Sequence, residues 1–576
     1  MNNRKKDRFY ALLTIVIFLA FMIGLYIWQY NLNYIFTSGD TFFHVNRIYE
    51  IRQAFLKHQI PNWLNFSTFF DAGYAIDGMY PDITLWPLVA LTMHLSPVHQ
   101  IICIRFLIEI FAFLVTYIAL IKNNYAKFSS ALIAGVYSLS GFLLYTFTIE
   151  MELGTSIILI FAFPIFFTIK KILMTKHFSL KLILQMGLLF AIIIWSHLLS
   201  VLVAAIIIAP LVIYQLFKKN WYPLVNFALA AVMMLLLGLP ILIRYFIISK
   251  TGINPPYNQG ILSSNSIMHL FTGATWGSDK DTFSIPVIII FVLLVAAFNK
   301  SKKRILMPLL IVETYIAFLC TNLIPLGLLD NVPFINNFQY IPWRIALFLN
   351  IIPFILLLEN FNYRYVNKVL IGFFVVSLSA ALAGLSAIQS PYVKIPPQKT
   401  KPILVTDRTK KNVPLNATYY ITSSGIGSEK IIRQLLPDYA PQAVGTQSIN
   451  GKDNYLSLYA SKILKDHILV NGKYHKKFTT TSIPNEGVII KTNKLQKGEV
   501  QVPIFDYTSL HYEVFLNNQK VNYHMSKHGF IAINNPQDLT NCEIKVIHHN
   551  PHIYKVALLF SGIVLLVVLI LLFFIK

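Results

Sequence analysis

The chain has 576 residues, of which 56% are hydrophobic, 14% aromatic and only 13% charged, and its mean hydropathy is +0.59. Soluble globular chains carry about 25% charged residues, so this composition excludes an ordinary soluble enzyme and calls for a polytopic membrane protein. The net charge of +23 would suit nucleic acid, but cytoplasmic loops collect Lys and Arg for topological reasons, and no nucleic-acid partner is expected.

The basic start, Arg4, Lys5, Lys6 and Arg8, precedes an apolar run from about Phe9 to Tyr30 with no small-residue cleavage site, which predicts a retained first span and a cytoplasmic N-terminus. The outer loop 31–82 follows. Its stretch from Ser38 to Pro81 opens SGDTFFHVNR and closes FFDAGYAIDGMYP, concentrating acids in a chain with only 25 Asp and Glu. Ile83–Leu95 is short of the ~20 residues a spanning helix needs and reads as interfacial or re-entrant. Spans are then expected at His99–Ile121, Phe128–Thr148 and Leu153–Ile169. Leu180–Phe217 is too long for one helix and is broken at Trp195-Ser196-His197, giving two. Pro223–Ile248, Ile285–Phe298, Ile305–Leu323, Trp343–Leu358 and Val369–Ile388 complete the series. With these boundaries every basic cluster falls on the cytoplasmic side.

The character changes at Gln389. Through Pro551 the sequence is polar and Lys- and Asn-rich, with alternating runs at Gly487–Lys491, His511–Leu516 and Glu543–Ile547 bounded by turn signals such as Asn517-Asn518. The expected architecture is therefore a polytopic α-helical membrane protein of about twelve transmembrane helices. It comprises a multi-span domain over 1–388, an extracytoplasmic β-rich, sandwich-like domain over 389–551, and a C-terminal transmembrane helix over 552–576. Both termini are expected in the cytoplasm. The three cysteines have no metal-ligand spacing.

Asp40, His44, Asp71, Asp77, Glu150, Glu152, His197, Arg244 and Arg344 all fall on or near the outer face in this topology. Ionisable groups near a bilayer usually face a cavity or a partner, so their collection on one side points to one outward site. The alternative for each is a plain interfacial residue. A helix beginning at Asp40 places Asp40, His44 and Arg47 on one face. A carboxylate beside an imidazole and a guanidinium suits deprotonating a hydroxyl while holding a phosphate; Asp40 also suits a helix N-cap. Asp71 and Asp77 flank Gly73-Tyr74 and precede Gly78-Met79-Tyr80-Pro81, where glycines fit either a close-approaching substrate or an ordinary turn. Asp71, Asp77, Glu150 and Glu152 are the candidate second carboxylates. Arg105 and Glu109, four apart within a span, read as an internal ion pair. Gln339, Trp343 and Arg344 enter a late span from outside, where Arg344 either snorkels to lipid phosphate or grips the phosphate of a lipid-linked donor.

The GD-x-x-x-H-x-x-R after the first span, the G-Y and G-M-Y-P closing the loop, the WSH near the chain middle and the late FQY-x-PWR together resemble the GT-C-type integral membrane glycosyltransferases. Nearest are the YfhO-like bacterial proteins and a related family labelled "6-pyruvoyl-tetrahydropterin synthase-related", although no pterin-enzyme motif is present. The resemblance covers about residues 1–390 and extends to an outer β-domain followed by a terminal span. It implies a polyprenyl-phosphate sugar donor and an acceptor in the cell envelope: a cell-wall polymer, teichoic acid or glycolipid. It places the base or metal ligand of the first outer loop on Asp40, with His44 beside it, and a donor-phosphate contact on Arg344, with Arg47, Tyr80, His197, Arg244, Gln339 and Trp343 as further binding residues. Asp40 lacks the adjacent acidic partner such enzymes carry, so no cofactor is fixed; a divalent cation, Mg or Mn, is the candidate. The rival expectations are a lipid-carrier transporter or flippase and a non-catalytic envelope assembly protein.

Overall fold

The computed structural model describes residues 3–37, 40–144, 146, 148, 151–255, 311–312, 314–316, 351–389, 403–405, 419–426, 437–449, 452–464, 468–470, 473–475 and 478–575. Among them five helices are long and apolar enough to cross a membrane: Arg4–Leu32, Pro97–Lys122, Leu198–Phe217, Tyr363–Ser386 and His552–Phe574. Two pairs cross only as broken spans, Leu153–Ile160 with Ala162–Met174, bent by 56°, and Tyr222–Leu237 with Leu239–Ser249, bent by 67°. The chain is thus multi-pass, with five to seven such spans among the described residues. The expected spans Ile285–Phe298 and most of Ile305–Leu323, with the start of Trp343–Leu358, lie outside the described residues.

Local chemistry accounts for the breaks. His197 has extended backbone (φ −162°, ψ 108°) between the helices Leu180–Ser196 and Leu198–Phe217, where the sequence placed the hairpin. The single span expected over Pro223–Ile248 is instead bent at Gly238, before Pro240, whose ring removes an amide donor. The Leu237 carbonyl there accepts from Trp195 Nε1 at 2.8 Å and from Ser561 Oγ at 2.5 Å. The span expected over Phe128–Thr148 also differs: its helix ends at Ser138, whose hydroxyl bonds back to the Ala134 carbonyl at 2.8 Å, and a short helical turn follows at Gly141–Leu144. Ile83–Leu95 holds only the eight-residue helix Leu85–Thr92, too short to span.

The β-rich region between the late spans is built on two five-stranded sheets. In one, Leu539–His548 runs between Gly487–Leu495 and Tyr512–Leu516, all antiparallel. In the other, Gly498–Phe505 lies between Phe530–Asn535 and Ile468–Val470. Alternation buries Val488, Ile490, Ile544 and Val546 from the first sheet and Val500, Val502, Ile531 and Ile533 from the second in a common core. Asn517 and Asn518, at φ 50° and 67°, make the tight turn from Tyr512–Leu516 into Gln519–Lys520. A third, three-stranded sheet was not legible in the sequence: Tyr34–Thr37, directly after the first span, pairs antiparallel with Tyr419–Thr422, which pairs parallel with Ile403–Val405.

The two five-stranded sheets are seated on the loop after the first span. Asn62 donates its backbone N–H to Asn485 Oδ1 at 2.7 Å and its amide nitrogen to the Asn485 and His548 carbonyls at 3.1 and 2.9 Å. His548 Nδ1 lies 2.7 Å from Asn62 Oδ1. Burial pushes the His548 imidazole down to about 3, with His549 and His511 adding to the effect, so it is neutral and donates from Nδ1. The Trp63 N–H donates to Asn550 Oδ1 at 2.9 Å, the Phe505 N–H to the Ala72 carbonyl at 2.9 Å, and the Ala75 N–H to the Tyr507 hydroxyl at 3.0 Å. Losing one partner of a buried polar group costs about 1–3 kcal/mol, and Asn62 serves several. Asn62→Ala is therefore expected to loosen the seat before the bundle unfolds: amide exchange at Trp63, Ala75 and Phe505 rises while exchange within Pro97–Lys122 stays unchanged.

Candidate active site

The helix Thr41–Leu56 follows the first span, with Asp40 at its N-cap position. The Asp40 carboxylate makes no capping hydrogen bond, and the residue is exposed. One and two turns on, His44 and Arg47 are buried on the inner face. Arg47 Nε pairs with Asp77 Oδ1 at 3.0 Å, Nη1 donates to His44 Nδ1 at 3.3 Å, and Nη2 donates to the Tyr80 and Pro81 carbonyls at 3.2 and 2.8 Å. Asp77 Oδ2 accepts from Asn65 Nδ2 at 2.8 Å. Arg244, from the second half of a broken span, pairs with Asp82 Oδ1 at 2.6 Å and donates to the Tyr80 carbonyl at 3.2 Å. Two guanidiniums from distant segments thus hold one carbonyl.

The Tyr80 ring is the centre of the cluster. Arg47 lies over its face, 4.3 Å from the centroid, and the rings of His44 and His197 lie 5.4 and 5.5 Å away. His197 reaches it from the helix break, with Nδ1 2.8 Å from Ser200 Oγ. Gly154 lets the turn carrying Glu152 sit against that break: a Cβ there would stand 2.5 Å from the Ser196 carbonyl oxygen. Glu152 is half-buried, with Oε2 accepting from Thr155 Oγ1 at 3.0 Å. Gly78 is crowded by Trp63 and Ile248, so this glycine serves close packing of the protein on itself.

The structure therefore brings His44, Arg47, Asp77, Tyr80, His197 and Arg244 together, with Asp40 one turn outward and Glu152 beside the His197 break. Arg47 and Arg244 differ from the phosphate contacts expected of them: both are buried, and each is paired with a carboxylate. Asp77 is likewise engaged with Arg47 and Asn65. Glu150, Gln339, Trp343 and Arg344 lie outside the described residues. Asp71 lies apart in a left-handed turn, with Phe69, Phe70 and Asp71 at φ 52°, 63° and 54°. This conformation costs roughly 1–2 kcal/mol per residue and persists only where neighbours hold it. Arg105 and Glu109 are both buried in their span, where Arg105 Nη2 donates to Met151 Sδ at 3.5 Å. Among the described residues no three His, Cys, Asp or Glu side chains gather to hold a metal ion.

Sequence reasoning passed over Asp82 as a site residue and missed Glu50 altogether. Glu50 is buried, and its Oε1 accepts from the Ser67 N–H and Thr68 Oγ1 at 2.7 and 2.8 Å, anchoring the entry to the left-handed turn. Its position on the inner helical face, one turn beyond Arg47, was the available signal. Burial pushes Glu50 up to about 8, against its two hydrogen bonds and with Asp77 and Asp71 adding to the rise. Burial also pushes Asp77 up to about 6, outweighing Arg47 and Asn65.

Beneath the cluster an apolar cavity of about 520 Å³ opens among the spans, lined by Ile83, Leu88, Phe111, Ile157, Trp195 and Leu558 among others. Thr84, on its wall, places Oγ1 3.0 Å from Ser196 Oγ, next to His197.

No protein-family profile matches the sequence, and no curated protein matches it. Among solved structures, the arabinofuranosyltransferase AftD from Mycobacteria, determined by single-particle cryo-EM, is 15% identical and aligns with a TM-score of 0.38 over 68% of this chain and 27% of its own. The chain spans about a quarter of that protein's length, and a likeness this distant fixes no activity.

Two outcomes are expected from the buried charges. Arg47→Met leaves Asp77 unpaired and lowers stability by about 3–5 kcal/mol, most of which the double variant R47M/D77L recovers; thermal unfolding in detergent reads both. Between its ordinary 4.5 and about 8, Glu50 binds more proton in the folded than in the unfolded chain, so stability falls as the pH rises through that window. Glu50→Gln flattens the melting temperature between pH 5 and pH 8 relative to wild type.

Proposed function

We propose that the chain is a membrane glycosyltransferase that moves a sugar from a polyprenyl-phosphate donor to a cell-envelope acceptor on the extracytoplasmic side. What supports the reading is one juxtaposition. The exposed Asp40 carboxylate stands one turn above the buried His44, Arg47 and His197 and the half-buried Tyr80 ring, and the 520 Å³ apolar cavity is lined by Ile83 and Thr84, just after Tyr80 in sequence, and by Trp195, two residues before His197. A lipid chain enters such a cavity laterally and leaves its head at the polar cluster, a division of apolar body and few polar groups typical of ligand sites.

In this reading the Asp40 carboxylate takes the proton from the acceptor hydroxyl. The acceptor oxygen then forms a bond to the anomeric carbon as the bond from that carbon to the phosphate oxygen breaks. Polyprenyl phosphate leaves with the electron pair, and the proton stays on Asp40. Arg344 is the proposed cation for the leaving phosphate, since Arg47 and Arg244 already face Asp77 and Asp82. His44 and His197 line the floor on which the sugar rests, and Glu152 is the second carboxylate.

Asp40→Asn keeps the shape and removes the base. The expected outcome is transfer at least a hundredfold slower, with normal abundance in the membrane. Lipid-linked sugars then accumulate and the envelope polymer loses a sugar, both read by mass spectrometry. An unchanged envelope composition in this variant overturns the reading in favour of an assembly or transport role.

A further inference from the structure

The outer sheets carry a second group of polar and aromatic side chains, remote in sequence from the Tyr80 cluster. Strand pairing sets His524, Ala532, Gln501, Leu469 and Tyr474 opposite one another in a single line across five strands. Directly opposed residues share a face, and Glu499, two residues from Gln501, lies on the same side. Along this line Gln501 Nε2 donates to Glu499 Oε1 at 3.3 Å, and His524 Nε2 lies 3.4 Å from Glu499 Oε2. The helix Leu458–Leu464 lies against the Gly498–Phe505 strand. Its Tyr459 ring stacks on His528 with centroids 3.6 Å apart and lies 6.1 Å from the ring of Tyr474.

Two observations single this face out. Gln501 is only 4% exposed, yet its Oε1 has no close hydrogen-bond partner among the described residues; the hydroxyl of Tyr459 lies beside the Gln501 side chain and interacts with it. Buried polar atoms are normally satisfied, and leaving one unpaired is costly. Beside these atoms the surface is open: Tyr474 is exposed, as are Glu499 and His524. Aromatic rings set next to an amide, a carboxylate and an imidazole are matched by a ligand with an apolar face and a rim of hydroxyls. That is a sugar ring, whose C–H groups lie on an aromatic face while its hydroxyls both donate and accept. Glu499 disfavours a phosphate or another anion at the same place, so the matching ligand is uncharged.

We propose that Tyr459, Tyr474, His528, Gln501, Glu499 and His524 form a binding site for a neutral saccharide unit, which holds the glycan acceptor on the outer sheets while transfer takes place at the membrane face. The choice of a glycan acceptor rests on the transfer reading given above; the site itself stands on the side chains of this sheet.

The test uses the full-length protein in nanodiscs, titrated with neutral galactan, mannan, arabinan and glucan tetrasaccharides and read by calorimetry and saturation-transfer NMR. At least one of these is expected to bind at millimolar concentration or below. Tyr459→Ala and Gln501→Ala should each weaken it by about tenfold, as truncating a central contact does, while Lys520→Ala, on the other sheet, leaves it unchanged. Amide exchange of the Gly498–Phe505 strand reports that both variants keep the sheet. If none of the saccharides binds, or if the Tyr459 and Gln501 variants bind as wild type with the sheet intact, the site is refuted. Asp40→Asn separates the two readings: saccharide binding retained with transfer lost supports both. Transfer intact with saccharide binding absent overturns the outer site alone. Binding intact with no transfer by the wild-type protein overturns the transferase reading and leaves a saccharide-binding membrane protein.

Discussion

The rest of the membrane face depends on the Tyr80 carbonyl and the two guanidiniums that hold it. Arg47 comes from the helix after the first span and Arg244 from a broken span well over a hundred residues later. Each is buried, and each carries its own carboxylate, Asp77 or Asp82. Burying four charges is expensive unless each is paired and the remaining donors are satisfied. Arg47 meets that condition with bonds to Asp77, His44, Tyr80 and Pro81. The loop 76–82 is thereby fixed to both helices at once, and the Tyr80 ring is set between His44 and His197.

From the other side the same loop carries the outer sheets. Asn62, Trp63, Ala72 and Ala75 give their polar groups to Asn485, His548, Asn550, Phe505 and Tyr507. Between these contacts the chain passes through the left-handed turn at Phe69–Asp71, whose entry Glu50 anchors through Ser67 and Thr68. The first loop is therefore a buried layer between spans and sheets, and the terminal helix closes the arrangement by giving Ser561 to the broken span at Leu237 and Leu558 to the wall of the apolar cavity.

In the reading proposed above, the arrangement separates three tasks. The apolar cavity inside the bundle is the proposed place of a lipid chain, and the exposed Asp40 carboxylate, over a floor of imidazole and phenol rings, the proposed place of transfer to a hydroxyl. On the sheet of Gly498–Phe505, aromatic rings and the Gln501 amide form the proposed saccharide site. Because Arg47 and Arg244 are committed to carboxylates, the floor presents imidazole and phenol edges in place of free positive charge. A phosphate there must find its cation elsewhere on the chain.

Composition and periodicity by themselves determined the membrane class, the first and terminal spans, the break at His197, the shortness of the helix after Asp82 and the strands around Gly487, Tyr512 and Glu543. Each of these follows from properties of a local window: apolar length against bilayer thickness, or alternation against a sheet face. The clustering of His44, Tyr80, His197 and Arg244 was foreshadowed only as a common side of the membrane. Their contacts, the engagement of both arginines by Asp77 and Asp82, the anchoring by Glu50 and the pairing of Tyr34–Thr37 with Tyr419–Thr422 were decided by tertiary structure alone. The reason is physical: a buried charge takes its partner from whatever segment the fold brings within about 3 Å, and no local pattern in the sequence records which segment that is.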